Sequence, residues 1–381
     1  TAPPTKDYGF LVFDQLFAVD SKYVPHLQMA EGFTLEDDGK TYVIALREGL
    51  KFHDNQPVRS ADCIASIERG GARDGFGQLM MKFVDTFEVV DDRKFKIKLK
   101  KPFALLPAAL GKSNSSQCFI MPERMAKTDP MKQVTETIGS GPYRFLKEEF
   151  VSGAKAAWAK FDGYVPRKEP VDSIAGGRIA AVDRIEWAFI SDPSTAMAAL
   201  VAGEQDYWDA PTPDLVPIMK VDPNIVVSPR NPTGSYYMLQ LNHTQPPFNN
   251  PKVRQAMAMA IDQETFLKSA VSDPSLMKAC YSYYGSDSPY YTEDGAEVMK
   301  VKSLDKAKAA LKESGYAGEK VVILGVMENP IQAAMCQVAE DLMRRMGLNV
   351  ELVAMDCATM AQRRTSREPS DKGGWSCFVT V

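Results

Sequence analysis

Apolar and polar positions alternate along the chain with spacings that predict an element for most segments. Near the start, Phe10-Leu11-Val12-Phe13 with Leu16-Phe17 reads as one short, largely buried helix over residues 10–17. Residues 42–46 read as a strand after a turn at Glu36-Asp37-Asp38-Gly39. Ser60 is placed to cap a helix over 61–68. A hairpin follows, with arms over 83–90 and 94–99 and a turn at Asp91-Asp92. In its second arm Phe95, Ile97 and Leu99 alternate with Lys94, Lys96 and Lys98. That period of two puts the apolar side on a core and makes the lysines a solvated strand face rather than a polyanion patch.

Turn residues dominate the middle. Gly139-Ser140-Gly141-Pro142 leads into a strand over 143–147, and Pro166, Pro170, Gly176 and Gly177 mark a loop before a strand over 182–190. Asp192-Pro193 reads as a helix cap with proline in the first turn, and Gly203 as that helix's stop. A strand over 236–241, a helix over 252–260 and a helix capped by Asp262 come next. The last third predicts a helix over 303–314 ended by Gly315, a strand over 320–326, a helix over 331–346 stopped by Gly347 and a strand over 350–354. Ile331, Met335, Val338, Leu342 and Met346 share one helical face, as packing on a sheet requires. Strand, helix and strand with short links form a βαβ unit, so the two strands should be parallel with a right-handed crossover. The fold class is α/β. Residues 375–381 read as a closing strand with no capping element after it, which suggests that more sequence followed.

Composition narrows the classes without choosing one. A chain of 381 residues suggests two or three domains. Hydrophobic residues make up 45% and charged residues 25%, as in folded globular proteins. The net charge of -4 is spread over mixed signs, so no basic face points to nucleic acid. No apolar run approaches the roughly 18 residues that span a bilayer. Thr1-Ala2-Pro3-Pro4 lacks the basic start and apolar stretch of a signal peptide, so the chain is cytoplasmic, mature or truncated. Six scattered cysteines, Cys63, Cys118, Cys280, Cys336, Cys357 and Cys377, contain no C-x-x-C pair, which argues against zinc and a dense disulfide framework. Cys336 falls in a helical apolar pattern and reads as a buried thiol, while a single disulfide among the others stays open.

Catalytic motifs are missing. The three histidines, His26, His53 and His243, stand apart and outside any H-E-x-x-H. There is no G-x-S-x-G elbow, S-x-x-K or Walker lysine. Gly139-Ser140-Gly141 precedes a strand and a proline, so it reads as a tight turn rather than a phosphate loop. His53-Asp54-Asn55 reads as polar turn chemistry, and Asp37-Asp38-Gly39 is too short for a calcium loop.

Taken in order, several segments resemble the extracellular solute-binding proteins of family 5, the dipeptide, oligopeptide and nickel type that serve ABC importers. They are Val12-Phe13-Asp14-Gln15-Leu16-Phe17, Pro25-His26-Leu27-Gln28-Met29-Ala30-Glu31, and Asp38-Gly39-Lys40-Thr41-Tyr42 through Leu46-Arg47-Glu48-Gly49-Leu50-Lys51-Phe52-His53-Asp54, with Pro57-Val58 and Ala61-Asp62 beyond. Gly139-Ser140-Gly141-Pro142-Tyr143, Ala202-Gly203-Glu204-Gln205-Asp206, Pro247-Phe248-Asn249-Asn250, Val253-Arg254-Gln255-Ala256 and Ala260-Ile261-Asp262 continue it collinearly over nearly the whole chain. Family members normally begin with a signal peptide and a first strand upstream of the position of Thr1, and continue beyond the region of Trp375. Relatives often carry a second cysteine shortly after the position of Cys280, where this chain has Gly285-Ser286.

The resemblance implies a bilobal periplasmic-binding-protein fold with an extra domain, two α/β lobes around a ligand cleft. Lobe I would comprise 1–20 and 141–243, the extra domain 20–140, and lobe II 244–381, incomplete at its C-terminus. It implies capture rather than catalysis: a peptide or peptide-like solute held by lobe closure and delivered to the permease subunits of the inner membrane, by a monomer without cofactor or metal. The implied location is periplasmic, or extracellular and lipid-anchored in a Gram-positive source. A zwitterionic ligand needs opposite charges or hydrogen bonds at its termini, and aromatics to line the cleft mouth. Lys6, Asp7 and Tyr8 match a cleft-lining segment. Tyr207, Trp208 and Asp209, at the end of a strand, Ser235, Tyr236 and Tyr237, and Ser115, Ser116 and Gln117 complete the candidates. Trp208 and Tyr237 also fit an ordinary core. A nickel chelate, an opine, an oligosaccharide or a murein peptide are alternative ligands, and a two-domain hydrolase using Asp206 and Asp209 is the rival of another class.

Overall fold

The opening apolar run divides between a helix, α1 (Pro3–Val12), and a strand, β1 (Phe17–Val19), instead of forming one helix over 10–17. The backbone between them is needed elsewhere. Ile120 N donates to Asp14 O at 2.9 Å, Met29 N to Gln15 O at 3.0 Å and Gln28 N to Leu16 O at 3.0 Å. These long-range pairs outweigh local helical preference. The computed structural model describes residues 3–113, 116–229, 234–286, 288 and 290–381, with the side chains of 3–7 left out of the description. They fall into two compact units, Thr1–Phe189 and Ile190–Val381.

In the first unit, β1 pairs with β2 (Pro25–Leu27). β3 (Ala30–Glu36) and β4 (Thr41–Leu46) precede the helices α2 (Ser60–Arg73) and α3 (Gly75–Phe83) and the hairpin β5 (Val84–Asp91) and β6 (Lys94–Leu99). The four strands make an antiparallel sheet in the order β3-β4-β6-β5. Ser60 is the first helical residue of α2 rather than its cap, and the helix runs past the expected residue 68. Asp62 anchors its start, accepting from Arg59 N at 2.8 Å and from Glu123 N at 2.7 Å. The hairpin follows its pattern: Phe95, Ile97 and Leu99 are buried, while Lys96 pairs with Glu36 at 3.1 Å and Lys98 with Glu88 at 2.6 Å on the outer face. Short helices α4 (Leu106–Gly111) and α5 (Glu123–Ala126) lead to a second antiparallel sheet, in which β8 (Lys155–Lys160) lies between β7 (Tyr143–Phe145) and β9 (Arg184–Ala188). The alanine-rich β8 lacks a clear strand signal in sequence, and its two pairings create it.

In the second unit, α6 (Pro193–Val201) begins as expected, with Thr195 N donating to Asp192 at 2.7 Å. α7 (Val216–Met219), β10 (Met238–Leu241), α8 (Pro251–Ala260), α9 (Gln263–Ala270) and α10 (Leu304–Glu313) follow. The chain then runs through β11 (Lys320–Val326), α11 (Pro330–Met346), β12 (Asn349–Met355), α12 (Cys357–Arg363) and β13 (Cys377–Thr380). The βαβ unit is present: β11 pairs in parallel with β12 over seven residues from Lys320↔Asn349 to Val326↔Met355. The sheet order is β10-β13-β11-β12. α11 is capped by Asn329, whose side chain accepts from Gln332 N at 3.0 Å, and stops at Gly347, whose φ of 100° suits a residue without Cβ. Its buried face is Met335, Cys336, Ala339, Met343 and Met346, turned slightly from the predicted stripe. Within this unit β10 hydrogen-bonds to β13 through Leu241↔Cys377.

Candidate functional site

Tyr8 sits on α1, half-buried, with its ring stacked on Trp158 of β8 at 5.0 Å and edge-on to Trp187 of β9 at 4.9 Å. Val12, Tyr143 and Trp158 form the buried heart of this cluster, with Phe145 and Ile185 against it. Two strands and a helix thus fix one tyrosine through aromatic packing, which orders its ring. The side chains of Lys6 and Asp7 lie outside the described residues, although their backbone is helical.

Beyond the end of α1 lies a buried charge that the sequence reading missed. Asp14, with 2% of its side chain exposed, pairs with Arg178 at 2.5 Å. Arg178 also donates to Phe10 O at 3.1 Å, and the Tyr164 hydroxyl donates to Asp14 at 3.2 Å. Burial, and then the Asp14 carboxylate, push the Tyr164 phenol well above its ordinary value. The family-like Val12-Phe13-Asp14 segment carried the only hint, since Arg178 is 164 positions away with no pattern of its own. Other arginines stitch the same unit: Arg47 donates to Gln28 O at 2.8 Å and Val165 O at 3.0 Å, and Arg167 to Gln28 O at 3.2 Å and Ala30 O at 3.1 Å.

Ser116 follows α4 in the same unit with a φ of 63°, and Gln117 beside it donates to Ser113 O at 3.1 Å. Ser115 lies outside the described residues. A cleft of about 450 Å³ lies elsewhere in this unit, lined by Asp20, His26, Arg167, Glu169 and Asp172. Its charged side chains already have partners. His26 Nε2 lies 2.9 Å from Asp20, Asp172 accepts from Ser21 N at 3.0 Å, and the Arg167 guanidinium holds the Glu169 carboxyl down at about 2.

The remaining candidates lie in the second unit. Tyr207, Trp208 and Asp209 are in an irregular segment after α6, not at the end of a strand, because no partner segment pairs with them among the described residues. Tyr207 is 68% exposed, and Trp208 and Asp209 are half-buried. Ser235 and Tyr236 are exposed just before β10, and Tyr237 packs against the core containing Phe248, Val321 and Val379. Burial pushes the Tyr237 phenol up. Among the described residues, no ring contact or hydrogen bond joins the group at 207–209 to that at 236–237. Just after β10, Asn242 is tied down: its N–H donates to Ser376 O at 2.8 Å and its side chain to Trp375 O at 3.0 Å. All six cysteines are free thiols, so the disulfide left open by their spacing is not formed. Among the described residues, no group of three or more His, Cys, Asp or Glu is placed to hold a metal ion, and no helix is long and apolar enough to cross a membrane.

Comparison with known proteins adds what side-chain geometry leaves open. The model of bacterial extracellular solute-binding proteins, family 5 (middle), matches residues 24–380. A probable peptide ABC transporter periplasmic-binding protein of Sinorhizobium fredii is 39% identical over 383 residues, covering 100% of this chain and 72% of the relative. Two solved structures share the fold. A Helicobacter pylori periplasmic binding protein in complex with the peptide STSA has a TM-score of 0.76 at 21% identity, over 100% of this chain and 73% of that one. A binding protein of A. tumefaciens R10 in complex with agropinic acid has a TM-score of 0.76 at 22% identity, over 98% of this chain and 72% of that one.

Proposed function

The chain belongs to the bacterial extracellular solute-binding proteins of family 5, and on that premise we propose that it captures a peptide or peptide-like solute by lobe closure for an ABC importer. The observation that carries the peptide reading is the 39% identity, across the full chain, to a probable peptide importer's binding protein. The proteins it resembles are binding proteins, and the chemistry here agrees with capture. Aromatic rings held by packing offer apolar surface to side chains at low entropic cost. Tyr8, Trp208, Asp209, Tyr207, Tyr236, Tyr237, Ser116 and Asp7 are the proposed contacts. The protein acts as a monomer in the periplasm, or anchored outside a Gram-positive cell, and hands its solute to the permease. Lobe boundaries at residues 20, 140 and 243 belong to the same proposal.

Calorimetric titration of the full-length protein with dipeptides to tetrapeptides, with chromatography of the mixture afterwards, tests this reading. One solute per chain, recovered intact, is the expected result. Trp208→Ala should weaken binding by about 1–3 kcal/mol, the scale of a buried aromatic anchor. Cleavage of the peptides would favour the hydrolase instead.

A further inference from the structure

Two motifs without a role in solute contact, Phe52-His53-Asp54 and Gly139-Ser140-Gly141-Pro142, meet in the first unit. His53 N donates to Gly139 O at 2.9 Å, and Gly139 N donates back to the ring Nδ1 at 3.3 Å. The other ring nitrogen, Nε2, lies 3.0 Å from Gly141 O. An amide N–H can only donate and a carbonyl can only accept, so Nδ1 is bare and Nε2 carries the proton. The bonds therefore require a neutral ring in one tautomer. Phe161 covers that ring edge-on at 5.0 Å.

The bound loop has no room to retreat. A Cβ on Gly139 would lie 1.9 Å from Val12 O, and one on Gly141 2.6 Å from Leu11 O. Gly141 N donates to Val12 O at 2.8 Å. The loop is clasped between the imidazole and the last turn of α1, the helix that carries Tyr8, and Tyr143 of the Tyr8 cluster follows two residues later.

We infer that His53 is a positioning residue: as a neutral imidazole it staples the 139–141 loop against α1, holding the Tyr8 cluster in its solute-binding geometry, so that acid loosens the site. Contact between Tyr8 and solute rests on the proposed function, whereas the staple itself does not. A proton on Nδ1 would face the Gly139 N–H donor to donor and place a charge under Phe161. Charged neighbours act in opposite directions: Arg144 on β7 disfavours the imidazolium, and Asp54, itself 3.2 Å from Arg124, favours it. Burial is the larger influence and pulls the ring's pKa below its ordinary 6.5.

The test uses the full-length protein with 15N-labelled histidine, whose three rings in this chain are assigned by substitution. At neutral pH His53 should show a bare Nδ1 and a protonated Nε2, and it should titrate below 6.5. His53→Phe, which keeps a ring on Phe161 but no nitrogen, should speed exchange of the Gly139 amide roughly tenfold, as expected for one lost hydrogen bond. Peptide affinity of the wild type should fall in step with the His53 titration as the pH drops below about 6.5. His53→Gln, which can accept and donate without titrating, should keep the affinity and lose the inflection. An Nδ1-protonated ring, titration at or above 6.5, or one pH profile shared by wild type and His53→Gln would overturn the inference. Should the wild type bind no peptide at any pH, the solute reading fails, and the tautomer and the Gly139 exchange still decide the staple.

Discussion

In the second unit, every residue of β11 after the exposed Lys320 is buried, under α11 on one face and Met360, Trp375 and Phe378 on the other. In the first unit, β6 alternates, with Phe95 and Ile97 inward and Lys96 and Lys98 in ion pairs outside. A parallel strand covered on both faces is continuously apolar, while an antiparallel strand with one wet face shows a period of two. The units differ more deeply in what joins distant segments. The second relies on aliphatic layers between sheet and helix, with the uncharged Asn242 as a polar tie, and the first adds charged or titratable side chains, Asp14, Arg178, Arg47 and His53, that bond across 19 to 168 positions. Apolar layers tolerate no charge; polar stitches tolerate no missing partner.

That contrast can be broken from either side. The largest effect should come from Val322→Asp, which puts a carboxylate into a strand sealed on both faces. Loss of more than about 4 kcal/mol is expected, enough to unfold the second unit, as read by denaturant titration. Arg178→Leu should cost about 3–5 kcal/mol by leaving Asp14 buried without its partner, and Asp14→Asn in the same chain should recover part of it. Recovery failing entirely would mean that shape, not charge pairing, sets the first unit's stability.

Acid supplies a smaller, graded test. Because burial lowers the folded pKa of His53 below 6.5, its contribution is complete above that value and is lost as pH falls through the folded pKa. Stability of the wild type should decline over this window more steeply than that of His53→Gln. The least effect belongs to Lys96→Ala, whose surface pair with Glu36 should account for less than about 1 kcal/mol and fade with added salt.

Legibility in the sequence followed the same division. The βαβ unit, the lysine-faced hairpin and the Asp192 cap are local patterns, and each is present in the structure. The opening helix was misread because residues 14–16 pair with chain more than ten positions away, and β8 was missed because its partners, not its alanines, make it a strand. Among site residues, the sequence named Tyr8 but not the Trp158 and Trp187 that hold it, nor the Arg178 that neutralises Asp14. Both depend on contacts that no spacing rule encodes.

Native mass spectrometry of freshly purified full-length protein tests solute capture most directly. A single peptide-sized adduct per chain, displaced intact by excess peptide, is the predicted result. A chain that carries no adduct and takes up none from a peptide mixture, or that returns the peptides cleaved, would contradict it.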